Sequence, residues 1–205
     1  MKINRTVSWL LLVGALSLAG CDGNGQPGGS SLTTSGEKSG EKIRSDAAES
    51  VTIEIASLDE VQKFVAEQKG KVVVLDLWSS SCTPCIRELP GLAKLRQEFP
   101  ADAVTVSLNL DYYGSEPPEK LREPAAKILA ENGAAAKNFL SSTKDEEVYA
   151  KLGATPVPIV IVYDRTGKMA KLFVNNKKDE FGEEGFTYKD HIAPLVKELV
   201  AAKGS

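Results

Sequence analysis

Two cysteines separated by two residues, Cys82-Thr83-Pro84-Cys85, are the part of this chain best suited to chemistry. They follow an apolar run, Val72 to Trp78, and open a helix-like segment. At the N-terminus of a helix, the dipole and the free N–H groups of the first turn stabilise a thiolate on Cys82. A thiolate attacks disulfides, and a second thiol one turn along closes back on the first and releases whatever was attached. A zinc site would need four ligands, yet the remaining cysteine is Cys21 and the single histidine is His191. An inert disulfide closing so short a loop removes little unfolded-state entropy. Spacing and position therefore point to redox chemistry.

The elements that must hold this pair are readable on both sides of it. Lys71 to Trp78 predicts a buried central strand, because its apolar run is nearly continuous and β-branched. The cysteines then begin a helix to about Phe99, with Ile86, Leu89, Leu92 and Ala93 on its apolar side. Upstream, Val51 to Ile55 alternates like a strand, and Ser57-Leu58-Asp59-Glu60 is a capping box for a helix that stops at Gly70. Downstream come a strand over Ala103–Leu110, a helix from Pro117-Pro118 to Gly133, a short apolar piece at Ala136–Leu140, and a second capping box at Thr143-Lys144-Asp145-Glu146. Pro156-Val157-Pro158 leads into a strand over Ile159–Tyr163, and Asp164-Arg165-Thr166-Gly167 turns it into a return strand, Lys168–Val174. Asn175 to Phe186 is polar and reads as loop, and Thr187-Tyr188-Lys189-Asp190 caps a last helix. Alternating strands and helices followed by a hairpin predict an α/β sandwich with a mixed sheet, whose functional groups gather at the carboxyl ends of strands.

The N-terminus bounds the compartment. Lys2 and Arg5 precede an apolar stretch, Val7 to Ala19, that falls short of the roughly 20 residues needed to span a bilayer. It ends in Leu18-Ala19-Gly20-Cys21, which resembles a bacterial lipoprotein signal. The resemblance implies cleavage before Cys21 and a lipid on that cysteine, which leaves Cys82 and Cys85 as the only free pair. Loss of residues 1–20 takes the formal charge from −3 to −5. No basic patch argues for nucleic acid. Residues 21–49 are rich in Gly, Ser, Thr, Glu and Lys, with Leu32 and Ile43 the only large apolar side chains, and read as a flexible tether. The folded domain is expected over residues 50–205.

From about Val51 onward the chain resembles the thioredoxin superfamily, in its membrane-tethered TlpA/ResA-like branch of thiol–disulfide oxidoreductases. Four features carry the resemblance: the strand followed by the cysteine pair, Asp76 six residues before Cys82, Pro90 eight residues after it, and Pro158 just before a strand. The segment from Tyr112 to Leu152 is similar to the branch's additional helix and strand. The implied fold is a three-layer sandwich, a central mixed sheet flanked by helices, with this αβ insertion before the strand that follows a cis-proline.

By the same resemblance, Cys82 is the attacking thiol, Cys85 the resolving one, and Asp76 a buried acid that relays the proton. Trp78, Thr83, Pro84, Val157 and Pro158 are expected to form the substrate surface, with Val157 pairing along an extended substrate and Pro158 cis. Ser81 departs from the bulky residue usual before the first cysteine. The implied partners are cysteine-containing proteins and a membrane electron donor or acceptor, for a monomer that needs no metal or organic cofactor. Cytochrome c maturation or repair of wrongly paired cysteines follows by analogy. A copper-binding metallochaperone and a redox-inert interaction module on the same scaffold are the alternatives. His191 is expected to be a surface or capping residue.

Overall fold

The computed structural model describes residues 51–154, 156–175 and 177–202. The expected leader, the lipidation site Cys21 and the tether lie outside the described residues.

Six strands form one sheet in the order β1-β4-β3-β2-β5-β6. They are β1 (Glu54–Ala56), β2 (Val72–Trp78), β3 (Ala103–Asn109), β4 (Lys137–Ser141), β5 (Ile159–Tyr163) and β6 (Met169–Val174). The first four run parallel, and β5 and β6 are antiparallel to their neighbours. β2 is hydrogen-bonded on both sides and buried at all seven positions, as its continuous apolar run predicts. The expected mixed α/β sandwich is present. β4, from the inserted segment, slots between β1 and β3.

Among the described residues there are six α-helices: α1 (Leu58–Glu67), α2 (Thr83–Glu98), α3 (Pro118–Asn132), α4 (Asp145–Leu152), α5 (Lys178–Phe181) and α6 (Ala193–Ala201). One face buries Val73, Leu75 and Leu77 of β2 with Leu58, Val61 and Val65 of α1 and Val148 of α4. The opposite face buries Val72 and Val74 with Leu92 and Leu95 of α2 and with Ile192 and Val196 at the C-terminal end of the chain. The period-2 alternation of β2 thus splits its side chains between two cores. Trp78 joins a third cluster, in which the cysteines and Leu89 of α2 meet Ala125 and Leu129 of α3.

Four local expectations change. The first strand begins at Glu54 rather than Val51, and its three residues pair with Phe139 to Ser141 of β4. Thr143 does not cap α4. Its hydroxyl accepts the Leu58 N–H at 3.1 Å, an orphan donor of α1, and Lys144 stands at the α4 N-cap without a side-chain bond. The polar stretch after β6 contains α5, because Phe181 and Phe186 close on Phe173 with ring centroids 5.7–5.9 Å apart. The last helix is entered through a π-helical turn, Tyr188–Ile192, capped by Thr187, whose hydroxyl accepts the Asp190 N–H. His191 closes the same turn: its Nδ1 accepts the Thr187 N–H at 3.0 Å.

Candidate active site

Cys82 and Cys85 are joined by a disulfide at the carboxyl end of β2. Cys82 is the N-cap of α2, and its sulfur accepts the Cys85 N–H at 3.3 Å. That N–H is one of the donors a helix leaves free in its first turn, so a thiolate formed at Cys82 on reduction meets a ready partner. Pro84 in the first turn costs nothing there, since its missing N–H would be unpaired anyway. Cys82 is 9 % exposed and Cys85 2 %, so the first cysteine keeps more contact with solvent than the second. Pro90 lies within α2, on its exposed side.

The loop that presents Cys82 is fixed by Asp111, just after β3. One of its carboxylate oxygens accepts the Ser80 N–H at 2.8 Å and the other accepts the Ser80 hydroxyl at 2.5 Å. Asn109 braces Asp111 in turn, with its side-chain amide donating at 3.1 Å. Cys82 N–H closes the turn on Ser79 O.

Asp76 lies in β2 on the face shared with Val72 and Val74, its backbone paired between Ser107 and Val160. It is 4 % exposed, and Tyr188 donates its hydroxyl to Oδ2 at 2.5 Å. Glu88 of α2 accepts the Tyr188 N–H at 2.9 Å. Burial pushes the Asp76 carboxyl up to about 7. The Tyr188 bond opposes that rise, and the charge of Glu88 adds to it. Burial likewise lifts the Tyr188 phenol well above its ordinary value, so it stays a donor.

A groove of about 450 Å³ passes Cys82. Thr83, Pro84, Pro156 and Val157 are among the residues that line it. The Val157–Pro158 peptide is cis, the geometry the resemblance implies, and Pro158 is itself buried. Trp78 requires a correction. It is fully buried in the cluster with Cys82, Leu89 and Leu129, so it underlies the cysteine pair and presents no surface to a substrate.

Several residues at the site were not singled out by the sequence. Tyr113, Asp145 and Tyr149 line the groove, all from the inserted segment. Tyr113 is 54 % exposed, while burial raises the Tyr149 phenol, which lies against the Val157 backbone. Tyr188 belongs to a capping motif legible in sequence, but nothing local ties it to an acid 112 positions away. Among the described residues, no group of three His, Cys, Asp or Glu is placed to hold a metal ion.

A family model described as Redoxin matches residues 39–186. Among curated proteins, the thioredoxin-like protein YneN of Bacillus subtilis is 31 % identical over 55 residues, which are 27 % of this chain and 32 % of that protein. The match therefore spans about a third of that relative's length. Among solved structures, a protein described as a thiol:disulfide interchange protein DsbE from Chlorobium tepidum superposes with a TM-score of 0.51 at 22 % identity, covering 66 % of this chain and 84 % of that one. An exposed lipoprotein thioredoxin from Streptococcus pneumoniae gives 0.50 at 22 % identity over 66 % and 90 % of the two chains. A thiol-disulfide isomerase from Corynebacterium glutamicum gives 0.52 at 16 % identity over 77 % and 99 %. These likenesses are of fold: the described domain is thioredoxin-like.

Proposed function

The chain belongs to the Redoxin family, and from that premise we propose that it is an extracytoplasmic thiol–disulfide oxidoreductase that exchanges disulfides with cysteine-containing proteins. The observation that carries this reading is the asymmetry of the pair: Cys82 borders a groove and receives an N–H of the helix terminus, while Cys85 is sealed behind it.

In the reducing direction the Cys82 thiolate attacks one sulfur of a substrate disulfide. A mixed disulfide forms and the other substrate sulfur leaves as a thiolate. Cys85 then gives its proton to the Asp76 carboxylate and attacks Cys82 Sγ. The Cys82–substrate bond breaks, the Cys82–Cys85 bond forms, and two electrons have passed to the substrate. A group of raised pKa near neutrality is suited to taking and returning that proton. Thr83, Pro84 and Val157 receive the substrate, whose extended chain pairs with the Val157 backbone that the cis Pro158 orients.

The leader and Cys21 support a lipid anchor, with residues 21–49 as tether and a membrane electron donor or acceptor as redox partner. Cytochrome c maturation and repair of mispaired cysteines are the roles such a reductant would fill. The test is a redox titration of the protein with an insulin-reduction assay, alongside Cys82→Ser. Cycling of the dithiol and loss of reduction in the variant are expected; a pair that neither cycles nor reduces insulin overturns the reading. Incorporation of labelled fatty acid that disappears in Cys21→Ala tests the anchor, and labelling retained without Cys21 removes it.

A further inference from the structure

Asp76 has a dedicated partner that the exchange steps above do not use. Tyr188 is 2 % exposed, and its hydroxyl is committed to Asp76 Oδ2. Its backbone N–H is committed to Glu88. The turn that carries it is pressed against α2 where Gly91 leaves room: a Cβ at Gly91 would lie 2.3 Å from Tyr188 Cβ. Glu88 stands one turn after Cys85 on the same helix, a spacing that puts both toward one side. Its side chain, which accepts the Tyr188 N–H, is 18 % exposed and meets Arg87 at 3.8 Å.

We propose that Tyr188 is a positioning residue of the redox centre: by holding Oδ2 of Asp76 it reserves Oδ1 for the proton exchanged with Cys85, while Glu88 holds the Tyr188 backbone and places a negative charge near the pair. The proposal rests on the reading of Asp76 as the base that serves Cys85. Tyr188 donates to Oδ2 whether Asp76 is ionised or not, so the mobile proton is carried on the other oxygen. The bond favours the ionised acid, and Glu88 disfavours it. The sheet neighbours of Asp76, Ser107 and Val160, carry no charge. From α2 the titratable and charged groups are Cys85, Glu88 and the Arg87 paired to it, and from the π-helical turn Tyr188. During resolution the Cys85 proton moves to Oδ1, the Cys85 thiolate displaces the substrate sulfur from Cys82, and Asp76 afterwards releases the proton to water.

The experiment follows resolution of a glutathione mixed disulfide on Cys82, formed with oxidised glutathione on the full chain, as a function of pH. Tyr188→Phe keeps the ring and removes the donor. It should move the acid limb of the profile to higher pH by about one unit, roughly tenfold slower resolution on the acidic side. Glu88→Gln keeps an acceptor for the Tyr188 N–H and removes the charge, so it should move the limb the other way. Asp76→Asn should abolish the limb. If Asp76→Asn abolishes it but Tyr188→Phe leaves it in place, the positioning role is overturned and the base survives. If Asp76→Asn leaves the limb, the base itself is lost. An unmoved limb in Glu88→Gln removes the influence of its charge on the pair, a readout that stands even should Tyr188→Phe not fold.

Discussion

Gly91 and Tyr188 occupy one space: a Cβ on the glycine would lie 2.3 Å from the Cβ and 2.6 Å from the Cγ of the tyrosine. The close approach seats the π-helical turn on α2 and delivers the Tyr188 hydroxyl to Asp76. Alanine at 91 gains about 1 kcal/mol of helix propensity. The overlap falls on the root of a buried ring, which has no free end to move, and overpacking of that kind costs about 1–3 kcal/mol. Gly91→Ala is therefore expected to be net destabilising by up to about 2 kcal/mol. Chemical denaturation measures it, and a variant as stable as the parent means the turn is free to shift.

Asp76 sets a pH dependence of stability whose sign is fixed. Its folded-state pKa, about 7, lies above the ordinary aspartate value of 3.8, so the folded protein holds a proton that the unfolded chain releases. The contribution is full below the unfolded pKa and is lost as pH rises through about 7. Between these values stability should fall with rising pH by up to about 1.4 kcal/mol per unit from this group. Asp76→Asn removes that slope. The oxidised variant should be more stable than the parent at pH 8 and close to it at pH 4. Parallel stability curves for the two proteins would contradict this.

Asp111 should control the loop before Cys82. Removing its carboxylate leaves the Ser80 N–H and hydroxyl without their partner. Asp111→Ala is expected to cost about 1–3 kcal/mol. It should also speed alkylation of reduced Cys82 by releasing the turn that holds it. Unchanged alkylation with lowered stability would confine Asp111 to scaffolding.

Thr143 gives a test at a distance from the cysteines. Thr143→Val keeps the shape and deletes the acceptor for the Leu58 N–H, and should cost about 1 kcal/mol. The capping box of Ser57 and Glu60 is independent of it, so Ser57→Ala should add its own loss of similar size. A double variant no worse than either single one would show that the two caps satisfy the same donors.

The parts of the fold that follow from short-range pattern were legible in the sequence. The β-branched run Val72–Trp78 became the central strand, the Ser57 capping box formed as spelled out, and the cysteines fell at the strand end and helix start. Pro158 entered its strand as expected. What escaped depends on partners far along the chain. Thr143 has the chemistry of a local cap and uses it 85 residues away. Trp78 sits at the end of a strand beside the cysteines, yet α3 covers it, and only tertiary packing decides that. Phe181 and Phe186 order a stretch whose polar composition reads as loop, because both rings find Phe173. Tyr188 could not be matched to Asp76 from spacing, since an acid in one strand gives no sign of which distant hydroxyl will meet it.

The groove beside Cys82 is assembled from stretches of chain with separate duties. Cys82, Thr83 and Pro84 come from the strand–helix junction that carries the disulfide, whereas Tyr113, Asp145 and Tyr149 come from the segment that adds β4 to the sheet. The wall that greets a partner can thus diverge without touching the sulfur chemistry. Under the proposed exchange, substitutions at the three inserted positions would reshape that wall and leave the disulfide and Asp76 in place, so the shape of the groove and the sulfur chemistry are separable by mutation.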